Sequence, residues 1–373
     1  MAPPTPFDDL SLEELRRRRS AKWIRYEPDV LPAWVAEMDF PLAPPVREAI
    51  LAAVERDDAG YATPLELPAV FAEFAAARWG WTVDPTRTLL LADIMSGVAE
   101  VLRALTAPGD RVVVNPPVYP PFFITVRDVG REVVEVPLVG GRLDLDGLER
   151  AFAGGARAYL LCNPHNPTGG VFTRDELAAV AGLASAHGVL IVSDEVHAPM
   201  TLPGATHTPY LTVTEQGIAL VSASKAWNLA GLKSALAVVD ATDLSAIPPH
   251  VSYHAGYFGV LASIAAFTDG VGWLDELVVH LDAQRGRLVD LLAAELPQVG
   301  YTPPQAGYLA WLDCRAFDLG DDPSEVFVER GRVALSPGPT FGEQGKGFAR
   351  LNFGTSGELL AEAVRRMRSA LDG

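Results

Sequence analysis

The chain has 373 residues, of which 49% are hydrophobic and 21% charged, a composition typical of a folded protein with one large and one smaller domain. Its formal net charge of −17 argues against nucleic acid or an anionic membrane as a partner, and we find neither a spanning run of about 18 apolar residues nor a secretory signal. The two cysteines, Cys162 and Cys314, lie in separate apolar stretches, so we expect free buried thiols and a cytoplasmic protein.

The first 45 residues are rich in loops and prolines, and we expect them to pack against a C-terminal domain. Within them, Ser11–Arg16 predicts a short helix with an acidic start and a basic end, an order that suits the helix dipole. The arginines at 16–19 therefore indicate a solvated helix end and not a targeting signal.

Residues 46–272 alternate short apolar runs with amphipathic stretches, which favours an α/β fold. Asp175–His187 predicts a helix that Thr173 and Glu176 open as a capping box. Because such a chain crosses between strands through helices, we expect a mostly parallel sheet covered on both faces. Six apolar runs predict its buried strands, at 111–115, 132–136, 158–162, 189–193, 218–222 and 234–239.

After Trp273 the pattern changes to longer elements. Leu274–Leu296 predicts one long amphipathic helix. These elements indicate a second, smaller α+β domain over residues 273–373. Its remaining elements are predicted as a strand at 307–313, a helix at 323–330, a strand at 350–353 and a final helix.

The residues that can carry chemistry follow three of the predicted strands. Asn163–Gly169, Asp194–His197 and Ser222–Lys225 each come directly after an apolar run. Ligands of parallel α/β sheets bind at the carboxyl ends of the strands. We therefore expect these three segments to meet in one site.

Lys225 is unusual in this chain, because only four of the 30 basic residues are lysines. It ends the apolar run that begins at Ile218. A desolvated lysine amine can lose its proton and attack a carbonyl, whereas arginine cannot. The alternative is a lysine at a strand end that reaches solvent. The context Ser222-Ala-Ser-Lys225, with Lys233 eight residues further on, resembles the lysine segment of enzymes that use pyridoxal 5′-phosphate (PLP).

PLP chemistry needs an acid at the pyridine nitrogen and a donor to the ring oxygen, and both have candidates. Asp194 ends a predicted strand, where its carboxylate can pair with the protonated nitrogen; a helix cap or loop acid is the alternative. Asn166, within Asn163-Pro-His-Asn-Pro-Thr-Gly169, can donate its amide to the ring oxygen, although the same residues also favour a turn.

PLP chemistry also needs a phosphate cradle. Ser96-Gly97-Val98 precedes an amphipathic stretch at 99–107, so we expect a helix N-terminus there, although many helices begin so. Ser222, Ser224 and Lys233 are candidates to complete the cradle.

Two further residues are candidates for contacts in the same site. Tyr119 follows two prolines and either stacks on the pyridine ring or simply packs. Arg350 lies in an apolar strand-like run and either grips a substrate carboxylate or forms a buried salt bridge.

These motifs, in this order, resemble the fold-type I PLP enzymes of the aspartate aminotransferase superfamily over nearly the whole chain, which implies a mostly parallel sheet of the seven-stranded type in the large domain. The resemblance is most specific to the MalY/PatB branch, the cystathionine β-lyase-like C–S lyases. The segments that carry the branch resemblance are Lys22-Trp23, Trp34–Phe40, Gly60–Pro64, Asp194–His197 and Ser336–Gly342. The branch often has an acid two residues after the histidine, whereas this chain has Pro199, which leaves the leaving-group pocket open to doubt.

The resemblance implies a role for each candidate in cofactor binding. Lys225 would bond PLP covalently, Asp194 would pair with its ring nitrogen, and Asn166 would contact its ring oxygen. His197 would lie near that oxygen, where aminotransferases usually have a tyrosine. The phosphate would be bound by Gly97, Val98, Ser222, Lys233 and, from the partner subunit of a homodimer, Tyr61.

The resemblance also implies a small amino-acid substrate, held by Arg350, Asn166 and Tyr119. The expected reaction is β-elimination of L-cystathionine or a related cysteine S-conjugate to a thiol, pyruvate and ammonia. Lys225 would remove the Cα proton, and Tyr119 or Lys225 would protonate the departing sulfur. The alternative within the fold is an aminotransferase. A non-enzymatic regulator is disfavoured, because such proteins usually carry an added DNA-binding module and this chain is acidic.

Overall fold

The computed structural model describes residues 7–372, and this part of the chain folds into strands and α-helices in alternation. The strands are β1 (Leu31–Pro32), β2 (Thr88–Leu91), β3 (Arg111–Val114), β4 (Glu132–Glu135), β5 (Ala156–Cys162), β6 (Leu190–Asp194), β7 (Ile218–Val221), β8 (Ala235–Val238), β9 (Gly300–Tyr301), β10 (Leu309–Asp313), β11 (Val333–Ala334), β12 (Ser336–Pro337) and β13 (Phe348–Asn352). The α-helices are α1 (Leu12–Leu15), α2 (Ala21–Ile24), α3 (Pro44–Glu55), α4 (Leu67–Trp79), α5 (Ile94–Leu105), α6 (Pro121–Asp128), α7 (Leu145–Ala153), α8 (Arg174–His187), α9 (Tyr257–Phe267), α10 (Val271–Glu295), α11 (Pro323–Glu329) and α12 (Gly357–Ser369).

The main sheet has seven strands in the order β2-β8-β7-β6-β5-β3-β4. The five strands from β7 to β4 are parallel, and β8 runs antiparallel to both β7 and β2. Alternate side chains of β5 enter opposite cores: Tyr159 and Leu161 pack on one face, Leu160 and Cys162 on the other. The mostly parallel sheet covered on both faces is therefore confirmed.

The register brings the ends of three strands together. Cys162, the last residue of β5, lies beside Asp194, the last residue of β6, and Asp194 lies beside Leu220 of β7. The segments that follow these strands therefore leave the sheet side by side at one edge. This arrangement positions the candidate site.

Helix α8 illustrates how the local sequence fixes an element. The Thr173 hydroxyl accepts the N–H of Glu176, and the Glu176 carboxylate accepts the N–H of Thr173, which is the predicted capping box. The helix ends at Gly188, whose φ of 67° is the left-handed conformation that favours glycine.

A smaller antiparallel sheet, β12-β13-β10-β9, lies in the C-terminal region. Helices α10 and α12 pack against each other beside it. The N-terminal segment joins this region through β1, which pairs in parallel with β11. The domain boundaries at residues 45 and 272 stay a prediction.

Within residues 7–372, no single helix is long and apolar enough to cross a membrane; α9 and α10 pass that test only as a pair, bent by 78°. In the same described range, no group of three or more His, Cys, Asp or Glu side chains is placed to hold a metal ion. Cys162 and Cys314 are free and buried, which confirms the expectation for the thiols.

Candidate active site

A cavity of about 380 Å³ opens at the carboxyl ends of β5, β6 and β7. The side chains that line it follow those strands or come from helix α5 and its surroundings. The predicted residues among them are Tyr119, Asn166, Asp194, His197, Lys225 and Lys233. The three strand-end segments therefore converge as the sequence predicted.

Lys225 is half-buried in this cavity, and its Nζ donates a hydrogen bond to the carbonyl oxygen of Ala36 at 3.1 Å. Burial lowers the pKa of its amine to about 8, with a further lowering from the Arg350 charge that Asp194 opposes. At neutral pH about a tenth of the amine is therefore unprotonated, far more than in an exposed lysine. The lowered pKa suits the role of nucleophile and base, which stays a prediction for Lys225.

Asp194 is buried, and its carboxylate accepts the backbone N–H of Val196 at 3.1 Å. Burial raises the pKa of this carboxyl to about 7, against the lowering effects of that hydrogen bond and of Lys225. A buried carboxylate with one backbone donor gains most from a cationic partner, because such a partner offsets its desolvation. A protonated pyridine nitrogen is a partner of this kind.

Arg350, on β13 of the smaller sheet, lies next to Asn166, which lines the cavity. Its guanidinium donates to Asn166 Oδ1 at 2.9 Å, to the Trp34 carbonyl at 3.1 Å and to Ser336 Oγ at 3.0 Å. It makes no ion pair within residues 7–372, and its buried Nε has no partner there. The absence of a carboxylate partner disfavours the structural salt bridge and leaves the charge available for a substrate carboxylate.

Asn166 is fixed by the same contact. Because Arg350 occupies its amide oxygen, the orientation of the side chain is set and its NH₂ group is left to donate. Its backbone N–H donates to the Sγ of Cys162 at 3.4 Å, which ties the turn to the end of β5. The amide therefore has the donor character that a ring oxygen requires.

His197 and Tyr119 line the cavity on either side. Burial, with the charges of Lys225 and Arg350, lowers the pKa of His197 to about 3, so its imidazole is neutral. Burial and the Asp194 charge raise the pKa of the Tyr119 phenol, so it carries its proton at neutral pH. A protonated phenol can donate to a departing anion. The specific contacts predicted for these two residues stay predictions.

The placement of the phosphate cradle requires a correction. Helix α5 begins at Ile94, with Asp93 as its N-cap, and not after Val98. The N–H of Gly97 donates within the helix to the Asp93 carbonyl at 3.0 Å, and a Cβ on Gly97 would lie 2.6 Å from Leu91 Cδ1, so Gly97 faces the sheet. Val98 is buried in the apolar core. The helix start is therefore corrected to Ile94, and the phosphate contacts of Gly97 and Val98 stay a prediction that these positions disfavour.

The first-turn residues Ile94 and Met95 line the cavity instead. Their N–H groups belong to the first turn of the helix, where backbone donors lack intrahelical acceptors. The sequence analysis missed the capping box of Asp93 and Ser96, in which each residue accepts a backbone N–H of the other. An Asp followed three residues later by a hydroxyl residue is the sequence signal for this helix start.

The serines near Lys225 also differ from expectation. Ser222 donates its hydroxyl proton to the Ser234 carbonyl at 2.6 Å and accepts the N–H of Ser224 at 3.0 Å. It does not line the cavity, whereas Ser224, Lys233 and Ser234 do. The buried Ser234 hydroxyl has no partner among the described residues. The phosphate contact of Ser222 stays a prediction, and Ser224, Lys233 and Ser234 lie closer to the cavity than Ser222 does.

Tyr61 is 88% exposed and its ring lies 6.4 Å from that of Tyr253. It does not line the cavity of its own chain. Its contact with the site of a partner subunit stays a prediction. Pro199 is buried in a short 3-10 turn at Ala198–Met200, directly after His197.

The sequence analysis missed the role of the backbone at residues 34–39. The Ala36 carbonyl accepts both Lys225 Nζ, at 3.1 Å, and the hydroxyl of buried Tyr308, at 3.0 Å. The Trp34 carbonyl accepts Arg350. Tyr308 carried no signal in the sequence, because a tyrosine in an apolar strand is ordinary core.

The donor set of the cavity fits PLP. The Lys225 amine, with its lowered pKa, lines the cavity and can react with an aldehyde. The buried Asp194 carboxyl lines the same cavity and can pair with a cation. At the other end, Lys233 and the unpartnered Ser234 hydroxyl lie beside the first turn of α5, which suits an anion. No residue in this set contradicts the cofactor.

Comparisons with known proteins agree with this geometry. A protein of Mycobacterium leprae (strain TN), provisionally named a cystathionine beta-lyase, is 46% identical over 394 residues, with 98% of each chain covered. The cystathionine beta-lyase PatB of Bacillus subtilis (strain 168) is 33% identical over 380 residues, covering 96% of this chain and 98% of that protein.

Among solved structures, a protein of Corynebacterium diphtheriae provisionally described as a PLP-dependent beta-cystathionase matches with a TM-score of 0.94 and 36% identity, covering 98% of this chain and 99% of that one. A PLP-bound C–S lyase from Staphylococcus hominis matches with a TM-score of 0.91 and 25% identity, covering 99% of each. The family model for aminotransferase class I and II matches residues 35–367. The chain therefore belongs to the aminotransferase class I and II family.

Proposed function

We propose that this protein is a PLP-dependent carbon–sulfur β-lyase that cleaves L-cystathionine or a related cysteine S-conjugate to a thiol, pyruvate and ammonia. The relatives named cystathionine beta-lyase support the lyase over the aminotransferase reading. The observation that carries the proposal is the Lys225 amine, with its pKa lowered to about 8, in one cavity with Asp194 and with Asn166, whose amide oxygen accepts a hydrogen bond from Arg350 at 2.9 Å.

Each residue of the site has a separate role in such a reaction. PLP, when bound, supplies an electron sink that stabilises a carbanion at Cα. Arg350 holds the substrate carboxylate, and through its bond to Asn166 it keeps the amide oriented in the same site. Asp194 keeps a positive charge at the ring nitrogen. These contacts fix the orientation in which the Cα proton faces Lys225.

Proton transfer falls to two side chains. The unprotonated amine of Lys225 takes the Cα proton as general base. The departing sulfur then needs a proton, and Tyr119 and Lys225 both line the cavity with a proton to give. The neutral imidazole of His197 adds no charge to this site.

The decisive assay separates the lyase from the aminotransferase. Purified enzyme loaded with PLP is given L-cystathionine without any 2-oxo acid, and pyruvate release is followed. We expect steady pyruvate formation, because elimination needs no amino acceptor. Turnover that appears only after a 2-oxo acid is added, with transfer of the amino group to it, would establish the aminotransferase instead.

We also propose a cytoplasmic homodimer in which Tyr61 of one subunit completes the phosphate site of the other. The exposure of Tyr61 supports this assignment. Mixing inactive Lys225→Ala with Tyr61→Ala subunits tests it, because a hybrid dimer would regain one site with both residues intact. Failure of the mixture to exceed the sum of the separate variants, after exchange of subunits is verified, would contradict the shared site.

A further inference from the structure

Asp93 binds Lys233, a group that an incoming phosphate would need, and it also caps the helix beside the cavity. Its Oδ1 accepts the N–H of Ser96 at 2.8 Å, which caps helix α5. Its Oδ2 accepts Nζ of Lys233 at 2.7 Å. Asp93 and Lys233 both line the cavity. The Asp93 carboxylate therefore already pairs with Lys233 and already caps the helix that begins beside the predicted phosphate site.

We propose that Asp93 competes with the cofactor's phosphate for Lys233 and so weakens cofactor binding. This inference rests on the proposed binding of PLP in the cavity. A phosphate bound here has to share Lys233 with Asp93 or displace it, and in either case two anions lie close together. The carboxylate therefore makes occupancy of this enzyme sensitive to the supply of PLP.

Capping alone does not require a charge at this position. Asn caps helices as well as Asp, so an amide would keep α5 in place without the negative charge. Asp144 provides a matched comparison, because it caps α7 through the N–H of Gly147 at 3.0 Å and does not line the cavity. Asp144 also lies 3.7 Å from a cation, Arg150, so the two caps differ in the cavity beside Asp93 and in the reciprocal bond from Asp93 to Ser96.

The test compares Asp93→Asn with Asp144→Asn and the unchanged protein, all in a Lys225→Ala background so that only non-covalent binding is measured. Dissociation constants for PLP and for pyridoxal, which lacks the phosphate, are obtained by equilibrium dialysis. We expect Asp93→Asn to bind PLP about tenfold more tightly and pyridoxal unchanged, and Asp144→Asn to change neither. Thermal unfolding checks that each variant is folded.

Three outcomes would overturn the inference: unchanged PLP affinity in Asp93→Asn, weaker PLP affinity, or equal tightening for PLP and pyridoxal. The first two would mean that Asp93 is neutral or helps the phosphate by orienting Lys233. The third would mean that the effect does not pass through the phosphate. If the unchanged chain with Lys225 intact binds no PLP, the proposed function fails as well, which distinguishes the two failures.

Discussion

Two lysines of this protein, Lys22 and Lys225, are withdrawn from bulk water, and they differ in whether a carboxylate pairs with them. Lys22 Nζ lies 2.7 Å from Asp39 Oδ1, with both side chains buried, and it also donates to the Glu37 carbonyl at 3.0 Å. Lys225 makes no ion pair within residues 7–372 and donates only to the Ala36 carbonyl. The difference teaches that two lysines withdrawn from water need not serve alike: Lys22 is held in a buried ion pair, whereas no ion pair among the described residues offsets the burial that lowers the pKa of Lys225.

The same short segment serves both lysines. Its carbonyls at Ala36 and Glu37 accept Lys225 and Lys22, and Asp39 supplies the counter-ion for Lys22. Asn352 further holds the carbonyls of Val35 and Glu37 at 2.8 and 2.7 Å. The Lys22–Asp39 ion pair therefore fixes the Trp34–Phe40 segment near one end. The backbone of the same segment binds the Lys225 amine through the Ala36 carbonyl.

The largest effect is expected at Lys225. Lys225→Ala removes the base and the covalent link to PLP, so pyruvate release from cystathionine should fall by about 10³-fold or more, with loss of the absorbance of the lysine-bound cofactor. Lys225→Arg should fail equally, because arginine keeps the charge but cannot lose its proton. Lys346→Ala, at an exposed site, is the control and should keep full turnover. A Lys225→Arg variant with normal turnover would refute the assignment.

The next prediction concerns stability, which should depend on Lys22 and not on Lys225. Lys22→Met leaves Asp39 buried without its partner and should lower the free energy of unfolding by about 3–5 kcal/mol, measured by urea denaturation without cofactor. Lys225→Met should cause no such loss, because its folded-state pKa of about 8 lies below that of a free lysine and its charge is a liability to the fold at neutral pH. Equal losses in both variants would break the comparison.

Much of this arrangement was accessible from the sequence, because apolar runs fix buried strands and parallel strands end at one edge. Asp194, Asn166 and Lys225 could be brought together in this way without knowing a single distance. Strand β2, at Thr88–Leu91, was missed although it is as long as the predicted β3 and β7. The helix start at Asp93 was missed, although Asp93 and Ser96 have the spacing of a capping box.

Other contacts could not be predicted from local pattern at all. Tyr308 and Ala36 are 272 positions apart, yet they share a hydrogen bond at the site. The Lys22–Asp39 pair was within a recognised motif, but the sequence does not say whether a lysine and an aspartate at such spacing meet or face solvent. Only the packing of the N-terminal segment against the smaller sheet decides that.

The reactivity of the Lys225 amine offers a finer test in the cofactor-free protein. Its pKa is lowered from 10.5 to about 8, whereas ion pairing with Glu343 raises the pKa of Lys346 above 10.5. Raising the pH therefore deprotonates Lys225 first, and an amine-selective acylating reagent should label it with a midpoint near pH 8. Lys346 is the internal reference in the same digest, read by mass spectrometry. A Lys225 midpoint near that of Lys346 would show that the cavity does not release the proton.

The smallest expected effect separates the two causes of that lowered pKa. Burial is the larger cause and the Arg350 charge the next, while Asp194 acts in the opposite direction. Arg350→Gln removes one positive charge next to the cavity and keeps a side chain that can still donate to Asn166. The labelling midpoint of Lys225 should then move upward by about half a pH unit, less than 1 kcal/mol. Asp194→Asn should move it downward, because the charge that favours the ammonium is lost. Shifts of the same sign in both variants would mean that the amine responds to a rearranged cavity and not to the two charges.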